Sequence, residues 1–244
     1  MASDIVLIYL SPESLWQRWG ESFFLDQLPR ECRGELARGQ GKTRGRERLL
    51  SRALAGASIA HVRGKASNTI HLHRSPHGRP QWADGASLEF NVSHSRDLMV
   101  CALADLPHLG IDVEHKKRRV NLDVARRFFS ARETAWLEAL PPWDQAGAFL
   151  RLWTLKEAYV KAVGEGMARV PLDQFGFDLA KQRFQAHGRA CRPGHWQFYT
   201  GTFGRDHWLS LAFNTQEPLP SVQVLKWEGD GFTPKERWTY DSIG

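Results

Sequence analysis

The longest uninterrupted apolar run in this 244-residue chain is seven residues, Leu98–Ala104, and it ends at the turn-forming Asp105-Leu-Pro-His108. A membrane-crossing helix needs about 20 apolar residues, so the run reads as a buried strand of a soluble protein. Beyond the turn the pattern changes. Gly110-Ile-Asp112-Val-Glu114 alternates apolar and acidic residues with the period of a strand, and Trp153-Thr-Leu-Lys156-Glu157-Ala-Tyr-Val-Lys161 carries charge through an otherwise apolar helix. Carboxylates and ammonium groups are sealed into cores only when they have partners. Three acids and two lysines that interrupt apolar elements suit the joint binding of a divalent metal and a phosphorylated ligand.

Periodicity supplies the other elements. Ile5–Leu10 reads as a first strand followed by a helix, and Leu49, Leu50, Ala53 and Leu54 recur at helical spacing within Arg44–Ala57. Short strands are expected near Thr69–His73 and Leu88–Val92. Ser130-Ala-Arg-Glu133 is a capping box opening a helix that runs through Thr134 to Leu140, before Pro141-Pro142. A second helix is expected from about Asp144 to Val163, and Trp196–Thr202 with Trp208–Phe213 form an antiparallel hairpin around Gly204-Arg-Asp206. Each half runs helix, then strands, with a hinge near 105–109. The expected class is α+β, with subdomains 1–107 and 108–244 meeting face to face.

Ten Trp and thirteen Phe must mostly be buried or sit at a binding surface. Three cysteines without CxxC spacing argue for a reducing compartment. With no basic leader before Ile5, the expected location is cytoplasmic. The net charge of +6 is uneven: residues 30–52 carry +5 and residues 115–132 carry +6. Two such patches point to anionic partners. A nucleic-acid-binding module would use them too, but it leaves the three acids without a role, and no nucleic acid is expected as partner.

The strand period puts Asp112 and Glu114 on one face and Ile111 and Val113 on the other. A polar exposed strand neutralised by Lys116 and Lys117 would look the same locally. Glu157 and Lys161 share a helix face, where an ordinary surface pair contributes about 0.2–0.5 kcal/mol. Asn91, Ser93 and His94 at the end of a strand can donate hydrogen bonds to phosphate oxygens, although such runs also serve turns. In His77-Gly78-Arg79-Pro80, glycine permits close backbone approach and arginine offers a planar fork of donors.

In this order, His77-Gly-Arg-Pro80, Phe90-Asn-Val-Ser-His-Ser95, Gly110-Ile-Asp-Val-Glu114, Arg127-Phe-Phe-Ser-Ala-Arg-Glu133 and Trp153–Lys161 resemble the 4'-phosphopantetheinyl transferases of the two-subdomain, Sfp-like type. The match covers residues 77–161 and is weaker from about 42 to 76. The resemblance implies two similar subdomains in pseudo-twofold arrangement with the active site at their interface, on a monomer. It implies transfer of phosphopantetheine from coenzyme A to a serine of an apo acyl or peptidyl carrier protein, with release of adenosine 3',5'-bisphosphate. It makes Asp112, Glu114 and Glu157 the Mg²⁺ ligands, and Glu157, Lys161 and Asp112 the catalytic group. Lys156 and Lys161 would hold the pyrophosphate. Asn91, Ser93, His94, Arg74, Gly78 and Arg79 would contact coenzyme A, and Arg44 and Arg48, among the arginines at 44, 46, 48 and 52, would supply a further 3'-phosphate contact. An acidic carrier helix would dock on residues 115–140.

Overall fold

The computed structural model describes residues 4–37, 43–84, 87–186, 191–216, 218–235 and 237–244. In chain order the elements are β1 (Ile5–Leu10), α1 (Pro12–Asp26), α2 (Arg30–Ala37), α3 (Thr43–Arg63), β2 (Leu72–Arg74), β3 (Pro80–Trp82), β4 (Glu89–Ser95), β5 (Leu98–Ala104) and β6 (Leu109–His115). They continue with α4 (Asp123–Phe128), α5 (Ala131–Ala139), α6 (Pro142–Val163), β7 (Phe175–Asp178), β8 (Arg183–Ala186), β9 (Trp196–Phe203), β10 (His207–Asn214), β11 (Val222–Trp227), β12 (Phe232–Pro234) and β13 (Asp241–Ile243). Helices and mainly antiparallel sheets are intermixed throughout, the α+β class. No helix among the described residues is long and apolar enough to cross a membrane.

Two compact units divide the chain: Ser3–Asp105 with Pro220–Arg237, and Leu106–Leu219 with Trp238–Gly244. The sequence division at 107/108 leaves the whole tail in the second half, whereas residues 220–237 belong to the first unit. The reason is strand pairing. β11 lies parallel to β1, with Ile5 opposite Val222 and Leu7 opposite Val224.

The first unit is built on a five-stranded sheet of order β12-β11-β1-β5-β4. Leu98–Ala104 is buried along its whole length, as its composition requires. α3 presents Leu49, Leu50, Ala53, Leu54 and Ala57 to the core formed with Ile8, Leu10, Met99, Cys101 and Leu103. Each fully buried Leu or Ile contributes about 1.5–3 kcal/mol of transfer free energy. The strand expected near Thr69–His73 is a 3₁₀ turn, Ser67–Thr69, followed by β2.

The second unit has a four-stranded sheet of order β13-β9-β10-β6. The expected hairpin is β9–β10, with Thr202 opposite Trp208. The α6 helix lies on this sheet, and its apolar side (Phe149, Leu152, Leu155, Tyr159, Val163) joins Phe175, Phe198 and Ala212 in one core. It starts at Pro142, two residues ahead of Asp144, because proline at the first helical position sacrifices no intrahelical bond. It stops at Gly164, whose φ of +79° is left-handed. Ser130 caps α5: its hydroxyl accepts from the Glu133 amide while the Glu133 carboxylate takes the Ser130 N–H.

Candidate active site

β6 and α6 meet through small residues. The Gly110 backbone lies against Ala158 and Ala162, leaving no room for a Cβ on residue 110. This close approach sets the acids of β6 beside those of α6. Strand alternation sends Ile111 and Val113 into the core and turns Asp112 and Glu114 the other way. Cross-strand pairing puts Ser210 opposite Asp112 and Thr200 opposite Ser210. The Ser210 hydroxyl bonds Thr200 at 3.0 Å and Thr154 of α6 at 2.8 Å, a polar fastening of helix to sheet.

The Lys161 ammonium donates to Asp112 Oδ1 at 2.7 Å, and Arg118 pairs with Glu114. Arg118 also lies over the Trp153 ring, 5.5 Å from its centroid. Glu157 belongs to the same cluster. Its carboxyl is pushed up to about 7, first by burial and then by the charge of Asp112, with Glu114 adding to the shift and Lys161 and Arg118 opposing it. The cluster sets three carboxylates against two cations, Lys161 and Arg118. Hard oxygen donors are the ligands Mg²⁺ prefers, but the ligand atoms of Asp112, Glu114 and Glu157 do not all lie within 4.8 Å of one another, so these carboxylates would have to draw together to hold an ion.

Lys156 is placed differently from expectation. Its side chain is 0 % exposed, and its ammonium is held by Glu133 Oε2 at 2.8 Å and by the carbonyls of Leu172 and Phe175 at 2.7 Å each. Three acceptors use all three of its donors, and the rings of Phe129 and Phe175 lie 5.2 and 4.5 Å away. Lys156 is therefore a core residue of the second unit, not a neighbour of Lys161. Glu133, legible in the sequence as a helix cap, is its buried counter-ion. Arg118 also escapes the sequence reading, where it is one of four consecutive basic residues. Its signal is the i,i+4 spacing from Glu114.

In the first unit, Arg44 and Arg48 are exposed on the first turns of α3, four residues apart. Glu47 on the same helix reaches His94 at 3.7 Å. Alternation along β4 puts His94 on the face opposite to Asn91 and Ser93, both buried. Arg74 donates to the Gly78 carbonyl at 2.7 Å and holds the turn closed. Arg79 donates to Glu89 at 2.5 Å and, at 3.5 Å, to the Phe90 carbonyl. Burial pulls the Arg79 guanidinium down from its ordinary value, and Glu89 opposes that shift.

Comparison with known proteins gives the family. Residues 108–212 match the 4'-phosphopantetheinyl transferase superfamily, and residues 16–105 match the family 4'-phosphopantetheinyl transferase, N-terminal. A 4'-phosphopantetheinyl transferase of Bacillus subtilis is 32% identical over 171 residues, 70% of this chain and 74% of its own length. The enzyme psf-1 of Bacillus pumilus is 36% identical over 182 residues, 73% of this chain and 75% of its own. The enzyme gsp of Aneurinibacillus migulanus is 33% identical over 130 residues, and there the chain spans about half (53%) of the relative's length. The chain belongs to the 4'-phosphopantetheinyl transferases.

Proposed function

We propose that the protein transfers the 4'-phosphopantetheine group from coenzyme A to a serine of apo acyl or peptidyl carrier proteins, with Mg²⁺ required. The observation that carries this reading is the convergence of Asp112, Glu114, Glu157 and Lys161 at the β6–α6 contact of a chain from this family. Mg²⁺ held by the three carboxylates would supply charge neutralisation at the pyrophosphate. Lys161 donates from the same cluster and orients Asp112; in the complex its ammonium also serves the pyrophosphate. The serine Oγ forms a bond to the phosphorus that carries pantetheine, and the phosphoanhydride bond breaks. Adenosine 3',5'-bisphosphate leaves with the electron pair. Glu157 takes the serine proton, directly or through a water; a metal-bound carboxylate is a weak base, so a bridging water is an equally good route.

Arg44, Arg48 and His94 are the proposed 3'-phosphate contacts, with Asn91 and Ser93 on the nucleotide and the Arg74–Gly78–Arg79 turn flanking it. The basic segment 115–140 is the proposed carrier-docking surface. Purified protein mixed with coenzyme A, Mg²⁺ and a panel of apo carriers should add one phosphopantetheine to a carrier, read by mass spectrometry. Glu157→Gln and Asp112→Ala should abolish the addition and leave the fold intact. If no carrier from fatty-acid or peptide-synthetase systems is loaded, the reading is wrong.

A further inference from the structure

The Glu133–Lys156 pair takes no part in the chemistry above, yet Lys156 immediately precedes Glu157 on α6. We propose that Glu133 and Lys156 are positioning residues that fix the rotation of α6, and thereby the place of Glu157 against Asp112, and that neither touches substrate. This rests on the reading of Asp112, Glu114 and Glu157 as the metal-binding cluster.

The Glu133 carboxylate is itself 3 % exposed and is held on every side. It accepts from the Ser130 N–H at 2.9 Å, the Ser130 hydroxyl at 2.8 Å, the Phe177 N–H at 3.0 Å and the Lys156 ammonium at 2.8 Å. It cannot shift without disturbing the start of α5 and the strand β7. Lys156, fixed to it and to the Leu172 and Phe175 carbonyls, is therefore an anchored point on α6. On another side of the same helix, Ala158 and Ala162 press on Gly110. The two fastenings bracket Glu157 in sequence and leave α6 one rotational setting.

That setting matters because a side-chain carboxylate stands about 5–6 Å from the helix axis, so a rotation of about 10° moves it by about 1 Å. Misplacement of that size at a reacting centre costs about 100-fold. Buried ion pairs contribute little net stability compared with apolar groups of similar volume. What this pair adds over an apolar contact is direction, since three acceptors hold the ammonium at one point.

The test is the charge-free double variant Glu133→Gln/Lys156→Met, with Glu133→Gln alone as the variant that keeps the volume but, having one acceptor oxygen, only one of the two backbone N–H bonds, to Ser130 or to Phe177. Both are compared with wild type by thermal melting, Mg²⁺ titration and steady-state kinetics. The double variant should melt close to wild type. Its apparent Mg²⁺ affinity and its kcat should fall by about 10–100-fold, with the KM for coenzyme A unchanged, and Glu133→Gln should shift the same quantities in the same direction. A folded double variant with wild-type Mg²⁺ affinity and kcat would make the pair merely structural and overturn the proposal. A raised KM for coenzyme A with unchanged Mg²⁺ affinity would make Lys156 a phosphate ligand and overturn it too. Wild-type protein that neither binds Mg²⁺ nor loads a carrier would instead sink the proposed function, a result distinct from both.

Discussion

Gly110 sits so close to Ala158 that a Cβ built on the glycine would lie 2.0 Å from the Ala158 carbonyl oxygen, and 2.4 Å from the Ala162 amide nitrogen. Both obstacles are helix backbone, which cannot swing aside as a side chain would. Gly110→Ala must therefore push α6 away from β6. The expected cost is about 3 kcal/mol or more, at the upper end for overpacking a core, together with loss of transfer activity as Glu157 withdraws from Asp112. Chemical denaturation with an unchanged midpoint would show that the helix yields more easily than this contact implies.

Lys161 answers Asp112 at 2.7 Å and draws the Glu157 carboxyl down against the pull of burial. Lys161→Met removes both effects while keeping an apolar stem of similar length. The expected outcome is a fall in kcat of about 100–1000-fold, the usual loss for one electrostatic donor at a reacting centre. Lys161→Arg, which keeps the charge with a different geometry, should retain part of that loss as activity. Equal rates for the methionine and arginine variants would remove charge from the explanation.

If Glu157 holds Mg²⁺ as proposed, its protonation makes metal binding depend on pH. Without metal its folded-state value is about 7, against 4.5 for the free group, because burial and then Asp112 disfavour the charged form. The sign follows from linkage: the stability this group contributes is fully present below 4.5 and is lost as pH rises through about 7. Mg²⁺ must displace that proton, so its apparent affinity should tighten between about pH 5.5 and about pH 7.5 and level off above. Melting curves with and without Mg²⁺ across this range check it, and a metal-induced shift independent of pH would contradict it.

How far the sequence reaches is clear from Lys156 and Asp112. The position of Asp112 follows from a strand period of two, and the Ser130–Glu133 cap from a spacing of three, so both are legible locally. Lys156 stands beside Glu157 in the sequence, which invites a shared role. Neighbouring helix residues point about 100° apart, however. Whether the ammonium turns inward depends on Glu133 of another helix and on carbonyls beyond the end of α6, which no local pattern displays. The same limit hides the tail. Val222–Trp227 joins the first unit only because β1 has a free parallel edge to receive it, a long-range pairing with no short-range signal.

The basic segment separates into residues with internal work and residues facing solvent. Lys116 donates to the Arg205 carbonyl at 2.9 Å and Arg118, itself exposed, pairs with Glu114; Lys117, Arg119 and Arg127 also have exposed side chains. Arg127 lies over the ring of Phe128, 5.1 Å from its centroid, and Phe128 is itself 38 % exposed. An acidic carrier helix would meet the solvent-facing charges. Arg119→Glu/Arg127→Glu should then raise the KM for an acidic apo carrier about 10-fold or more, mostly through slower association, and flatten its dependence on salt, because screened attraction is what the variant removes. The KM for coenzyme A should stay as in wild type, since the Asp112–Glu157 cluster is untouched. Equal increases in both KM values would place these arginines in the nucleotide site, and no increase in either would move the carrier off this segment.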